Sequence, residues 1–157
     1  MSDYDWERIP KKRSSSGAII FNKNEKLLIV KPTYREKWLI PGGVDEYNES
    51  PLSSCRREIK EEIGLNIEIE KLLSFDYKPG SESYLEGFSF IFYGGKLSDE
   101  QISQIKLQKE EISEYKFIEK DRISKMLVDK LKQRVLVSLD ALDNDTSYYL
   151  EGQEQVL

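Results

Sequence analysis

Residues 38–65, WLIPGGVDEYNESPLSSCRREIKEEIGL, constrain this chain more than any other stretch. The opening apolar run and glycine pair predict a short strand and a tight turn, and a polar loop then leads into a helix. Ser50 is a good N-cap, and Pro51 suits the first helical position, where no N–H is needed. Gly64 can end the helix about four turns later. Leu52, Cys55, Ile59 and Ile63 recur at helical spacing and predict the buried stripe. Glu58, Glu61 and Glu62 stand at i, i+3 and i+4, so they share a different face, expected to lie clear of that stripe.

Three carboxylates on one patch repel each other. At an effective dielectric of about 20, two unit charges roughly 5 Å apart cost on the order of 3 kcal/mol. Arg57 can pair with Glu61 at i,i+4, but one guanidinium cannot neutralise three acids. Two readings follow: a solvated acidic helix face, or a face that gathers a divalent cation. Oxygen-only ligands suit a hard ion such as Mg²⁺ or Mn²⁺, which also binds substrate phosphate.

The spacing of the whole stretch resembles the Nudix box, G-x5-E-x7-R-E-U-x-E-E-x-G-U with U aliphatic. Gly43, Glu49, Arg57, Glu58, Ile59, Glu61, Glu62, Gly64 and Leu65 fill every fixed position, and Pro41-Gly42 and Trp38 before them also look like the family. The box covers residues 43–65, and the flanking pattern is compatible with the same fold over most of the chain. Many members carry glycine where Asn48 precedes the first box glutamate; asparagine is the next most tolerant residue of a left-handed backbone. The resemblance implies an α+β fold, the Nudix-type α/β/α sandwich with a mixed central sheet. It also implies hydrolysis of a diphosphate linkage in a nucleoside diphosphate joined to another group.

The resemblance also implies roles for single residues. Glu58, Glu61, Glu62 and the Gly42 carbonyl would hold Mg²⁺ or Mn²⁺, and Arg57 would orient the glutamates. Gly43, Glu49 and Gly64 would be structural in the box, with Glu49 bracing it or reaching the metal through water. Family members often add a glutamate near the last strand as ligand or base, and Glu111 and Glu114 are the candidates; the base is one of these two or a box glutamate such as Glu61 or Glu62. Glu111 is favoured because it precedes the strand, on a loop that can swing over the cleft.

Composition removes other chemistries. The 157 residues suit one globular domain with a real core, and a net charge of −5 argues against a broadly basic nucleic-acid surface. The absence of histidine removes the commonest general base and the usual zinc ligands. Cys55, the only cysteine, reads as a small core residue in a reducing compartment. No apolar run reaches membrane-spanning length and the N-terminus lacks a signal-peptide core, so a soluble, cytoplasmic protein is expected.

In chain order, residues 1–12 form a polar segment ordered in part through Tyr4 and Trp6, residues 13–142 the Nudix domain, and 143–157 a tail. Strands are expected at 16–21, 26–31, 38–40 and 67–77, the last one bent, and again at 86–93 until Gly94-Gly95 ends it. A short helix spans 98–104, a strand lies within 110–120, and helices follow at 121–125 and 128–142. The loop 32–37 is basic and aromatic: either a solvated loop, or a nucleotide site with Arg35 or Lys37 on phosphate and Tyr34 against a base. The lysines of the last helix read as a solvated face. The tail docks through Tyr148-Tyr149-Leu150 or across a partner in a homodimer, or stays disordered.

Subfamily markers are sparse. There is no SQPWPFPxS-like array, and Pro79 lies near, but not at, the marker position of ADP-ribose hydrolases. The expected substrates are therefore a nucleoside triphosphate first, ADP-ribose or a nucleotide sugar second, and the triphosphate 5′ end of RNA third. A regulatory Nudix-fold module that binds a nucleotide without cleaving it is the alternative of another class, although such modules commonly lose box glutamates and this box is intact.

Overall fold

A computed structural model describes residues 5–157, so the ordering expected of Tyr4, and of the Trp6 side chain, falls outside the description. The strands are β1 (Arg13–Asn22), β2 (Leu27–Pro32), β3 (Gly42–Val44), β4 (Lys71–Lys78), β5 (Gly87–Leu97), β6 (Ile112–Ile118), β7 (Tyr148–Glu151) and β8 (Glu154–Gln155). The helices are α1 (Pro51–Ile63), α2 (Asp99–Ser103), α3 (Ile123–Met126) and α4 (Asp129–Asp143). The described strands form one mixed sheet in the order β6-β2-β1-β5-β4-β7-β8. β3 pairs with the first half of β1, where β2 has left it. β1 runs parallel to β5 and β4 parallel to β7, while the other pairs are antiparallel.

Alternation along β1 splits the core between two faces. Ala18 and Ile20 pack with Leu28, Val30, Cys55, Ile59 and Ile63 beneath α1. Ile19 and Phe21 pack with Ile29, Ile123, Val135 and Leu139 beneath α3 and α4. The result is the expected α/β/α sandwich. None of the described helices is long and apolar enough to cross a membrane.

Local departures from the sequence expectations have local causes. Residues 38–40 do not make a strand, because their partners alternate: Leu39 exchanges both backbone bonds with Val30, whereas Trp38 bonds to Met126 and Val128. The strand of this region is β3, starting just after Pro41. The 67–77 strand begins only at Lys71; Ile67 and Ile69 are partly buried below α1 without entering the ladder. β5 runs through Gly94-Gly95 to Leu97, with a register shift opposite Ile19 and Phe21. The tail adds β7 beside β4, with Leu150 fully buried.

The tail is also pinned by a buried ion pair. Nε and Nη2 of Arg134 on α4 both lie 2.7 Å from Asp76 Oδ2 on β4, and both residues are buried. The second Asp76 oxygen accepts the Gln153 N–H at 3.0 Å, and Gly152 N–H reaches the Tyr77 carbonyl at 2.8 Å.

Candidate active site

Helix α1 starts and stops as its caps dictate. The Ser50 hydroxyl accepts the Ser53 N–H, and Gly64, at φ 75°, donates its N–H to the Lys60 carbonyl. Asn48 adopts a left-handed φ of 59°, so the loop keeps a shape for which glycine is the easier residue.

Arg57 organises the loop and the helix together. Its Nε and Nη2 grip both oxygens of Glu49 at 2.8 and 3.0 Å, and Glu46 N–H adds a third bond to that carboxylate. These bonds hold Glu49 down at a pKa of about 2. The support they give is complete above the ordinary carboxylate range and is lost only as pH falls towards 2. Nη1 of Arg57 reaches Glu58 at 2.9 Å and Glu61 at 3.0 Å. One guanidinium thus spans three acids.

The three helix glutamates are not equivalent. The Glu61 side chain is half exposed and Glu58 is 15% exposed, but Glu62 is only 5% exposed, so it does not stand clear of the buried side. Glu62 turns under β3 and accepts the Gly42 N–H at 2.9 Å. Burial, with the charges of Glu58, Glu111 and Glu61, pushes its pKa up to about 8; burial raises that of Glu58 as well. Gly42 lets β3 lie close against β1, and Gly43 leaves room for the Glu58 carboxylate. A Cβ at Gly42 (φ 148°) would sit 2.2 Å from the Ser16 carbonyl oxygen, and one at Gly43 would sit 2.4 Å from the Glu58 carboxyl carbon. Gly43→Ala should therefore displace Glu58 and lower kcat at least roughly tenfold, with little change in thermal midpoint. Unchanged turnover would mean that the Glu58 position does not matter.

The two glutamates outside the box diverge. Glu111 is close enough for its charge to raise both Glu58 and Glu62. Glu114 lies across the ladder from Lys31 and pairs with Lys31 and Lys116 at 3.7 and 3.9 Å. Glu111→Gln should cut kcat by about 10²-fold or more with little change in KM, whereas Glu114→Gln should have a small effect. The reverse pattern in steady-state kinetics would move the base to Glu114.

The β3 edge opens on the α4 side into a groove of about 290 Å³, lined by Gly42, Gly43, Tyr34, Arg35, Ile40 and Leu131 among others. Arg35 lies over the Tyr34 ring, 5.5 Å from its centroid. Lys37 is not part of this lining; it pairs with Asp129 at 3.3 Å on the surface. Arg13, Lys78, Lys130 and Arg134 line the groove and were not singled out by sequence. Their signal was faint. Lys78 falls in the gap between the strands expected at 67–77 and 86–93, and Arg134 sits at an inward helical position between Leu131 and Ser138 that apolar periodicity passes over.

A model of the NUDIX domain matches residues 11–139. The chain belongs to the Nudix family. An RNA pyrophosphohydrolase from Hydrogenovibrio crunogenus is 43% identical over 53 residues, covering 34% of this chain and 32% of that protein. The m7GpppN-mRNA hydrolase of Saccharomyces cerevisiae is 42% identical over 52 residues, covering 32% of this chain and 5% of that protein. The chain therefore spans a third or less of these two curated relatives. A crystal structure of a UDP-X diphosphatase superposes with a TM-score of 0.72 at 23% identity, covering 95% of this chain and 76% of that one. That likeness is one of fold.

Whether a Nudix metal suits these residues can be judged from the donors. Among the described residues no three acids are gathered as a ready metal site: Arg57 Nη1 binds Glu58 and Glu61 while Glu62 turns to Gly42. The charge balance nevertheless fits a cation. Glu62 and Glu58 carry raised pKa values next to Glu61 and Glu111, all four donors are oxygen, and no histidine or exposed thiol competes for a softer metal.

Proposed function

We propose that this chain is a metal-dependent hydrolase that cleaves a diphosphate linkage in a nucleoside diphosphate derivative. The observation that carries the reading is the buried, electrostatically strained Glu62, beside Glu58 and Glu61, at the β3 edge where the groove begins. Glu58, Glu61 and Glu62, with the Gly42 carbonyl, would hold Mg²⁺ or Mn²⁺. Such an ion polarises a phosphoryl oxygen, activates water and offsets the charge of an anionic substrate.

The chain's own residues supply the rest. Arg57 holds Glu58 and Glu61 in place through Nη1 while its other nitrogens fix the loop through Glu49. Glu111 is the proposed proton acceptor for the attacking water. Tyr34 and Arg35, on the groove rim, would contact base and phosphate.

The substrate classes to test are a nucleoside triphosphate, ADP-ribose or a nucleotide sugar, and the triphosphate 5′ end of RNA. The RNA arm draws support from the relatives named RNA pyrophosphohydrolase and m7GpppN-mRNA hydrolase. The experiment is a product-resolved screen of these classes with Mg²⁺ or Mn²⁺ and with excess EDTA. One class should turn over, only with metal. Full hydrolysis in EDTA would defeat the metal assignment, and nucleotide binding without hydrolysis would favour a regulatory module.

A further inference from the structure

The end of the groove away from β3 carries cations that the hydrolytic reading leaves unused. In register, Arg13 on β1 faces Gly87 on β5, and Gly87 faces Lys78 on β4. Arg13 and Lys78 therefore leave the same face of the sheet on either side of a residue without a side chain. Lys130 and Arg134, one turn apart on α4, line the same hollow from above, and Gly152 and Gln153 of the tail close it. Arg134 is neutralised by Asp76. Among the described residues, Arg13, Lys78 and Lys130 have no carboxylate at ion-pair distance.

Lys78 is the most telling of the three. It is half-buried, its ammonium reaches Ser15 Oγ at 3.4 Å, and its pKa is lowered to about 8 by burial and by the charges of Arg134, Arg13 and Lys130, against the opposing charge of Asp76. Lys130 stacks over Tyr84 at 4.5 Å rather than on an acid. A chain of net charge −5 has carboxylates to spare, yet Asp76, the one at this hollow among the described residues, is committed to Arg134 and to the Gln153 N–H. An anionic ligand is what relieves such a cluster.

The position of the cluster sets what it can reach. Ser16 faces Gly43, and Arg13 stands three positions earlier on β1. The cluster begins on the order of 10 Å along the strand from the glutamate edge and extends roughly two strand spacings further, to Lys78. That offset is comparable with the length of a nucleoside, too far for the phosphate being cleaved at β3.

We propose that Arg13, Lys78 and Lys130 bind a second phosphate group of the substrate, a monoester or phosphodiester on the sugar of the nucleoside, remote from the diphosphate that is cleaved. Calling the ligand a substrate rests on the proposed hydrolysis; the binding itself does not. Compounds without an anhydride bond cannot be turned over, so they separate the two.

Calorimetry in EDTA would compare adenosine 5′-monophosphate with adenosine 2′,5′-bisphosphate, adenosine 3′,5′-bisphosphate and the 5′-phosphorylated dinucleotide pApA, with the uridine series alongside. At least one compound with the additional phosphate should bind roughly tenfold or more tighter than its monophosphate parent. The bisphosphate and dinucleotide arms tell a monoester from a phosphodiester. The preference should fall below about threefold in Lys78→Met and in Lys130→Ala. Lys130 is exposed, so its variant decides if Lys78→Met fails to fold. Equal or absent binding across both series, or a preference that survives in the folded variants, overturns the subsite. A preserved preference in a protein that hydrolyses nothing with Mg²⁺ would instead overturn the hydrolytic reading and leave the subsite standing.

Discussion

Glu62→Gln should abolish most turnover while making the metal-free protein more stable. Glutamine keeps an oxygen to accept the Gly42 N–H and removes only the charge. With that charge goes a proposed metal ligand, for which a loss in kcat of about 10²–10³-fold is expected. The stability effect has a definite sign. The folded pKa of about 8 stands above the ordinary 4.5, so folding favours the protonated acid. Wild-type stability in EDTA should therefore fall as pH rises from about 4.5 to 8 and level off above that. The full penalty is bounded at on the order of 5 kcal/mol. In EDTA, Glu62→Gln should match the wild type near pH 4.5 and exceed it by several degrees in thermal midpoint at pH 8. Saturating Mg²⁺ should narrow or reverse that gap, since it stabilises only the protein that binds it. Thermal melts at both pH values, with and without EDTA, check each part. A variant less stable than wild type at pH 8 in EDTA would show that the Glu62 charge is not strained.

Asp76→Ala should be the most destabilising single change. It would leave Arg134 charged and buried without its partner, and Gln153 N–H without its acceptor. Breaking one side of a buried pair costs about 3–5 kcal/mol, on the order of 10 °C for a domain of this size. Asp76→Leu combined with Arg134→Met should recover much of the loss, because an apolar pair of similar volume is often tolerated in place of a buried ion pair. Loss of β7 protection in hydrogen exchange of Asp76→Ala would locate the damage at the docked tail. Equal midpoints for wild type and Asp76→Ala would rule out this role for the pair.

The box was legible because its constraints are short-range. Caps, helical spacing and the glycine stop act within a few residues, so Ser50, Pro51 and Gly64 delimit α1 as read. The sheet was legible in kind, since β1, β2, β5 and β6 carry their own apolar patterns. Burial of Glu62 was not. It depends on Gly42 approaching from a strand twenty residues earlier, and helical periodicity sees only the helix. The cationic groove was hidden for the same reason. Arg13, Lys78 and Lys130 lie on three separate elements and meet only through the β1-β5-β4 register and the packing of α4. The tail, too, becomes a strand only because β4 offers a free edge and Asp76 waits to accept its Gln153.

The proposed reaction is tested most directly by ³¹P NMR of the protein with the nucleotide it selects, recorded first in EDTA and then after excess Mg²⁺. No change should occur in EDTA. On adding Mg²⁺ the diphosphate resonances should give way to cleavage products, at a rate reduced at least a hundredfold in Glu62→Gln. Loss of the diphosphate signal at the same rate in EDTA, or in Glu62→Gln, would contradict a metal-dependent hydrolytic centre on the glutamate face of α1.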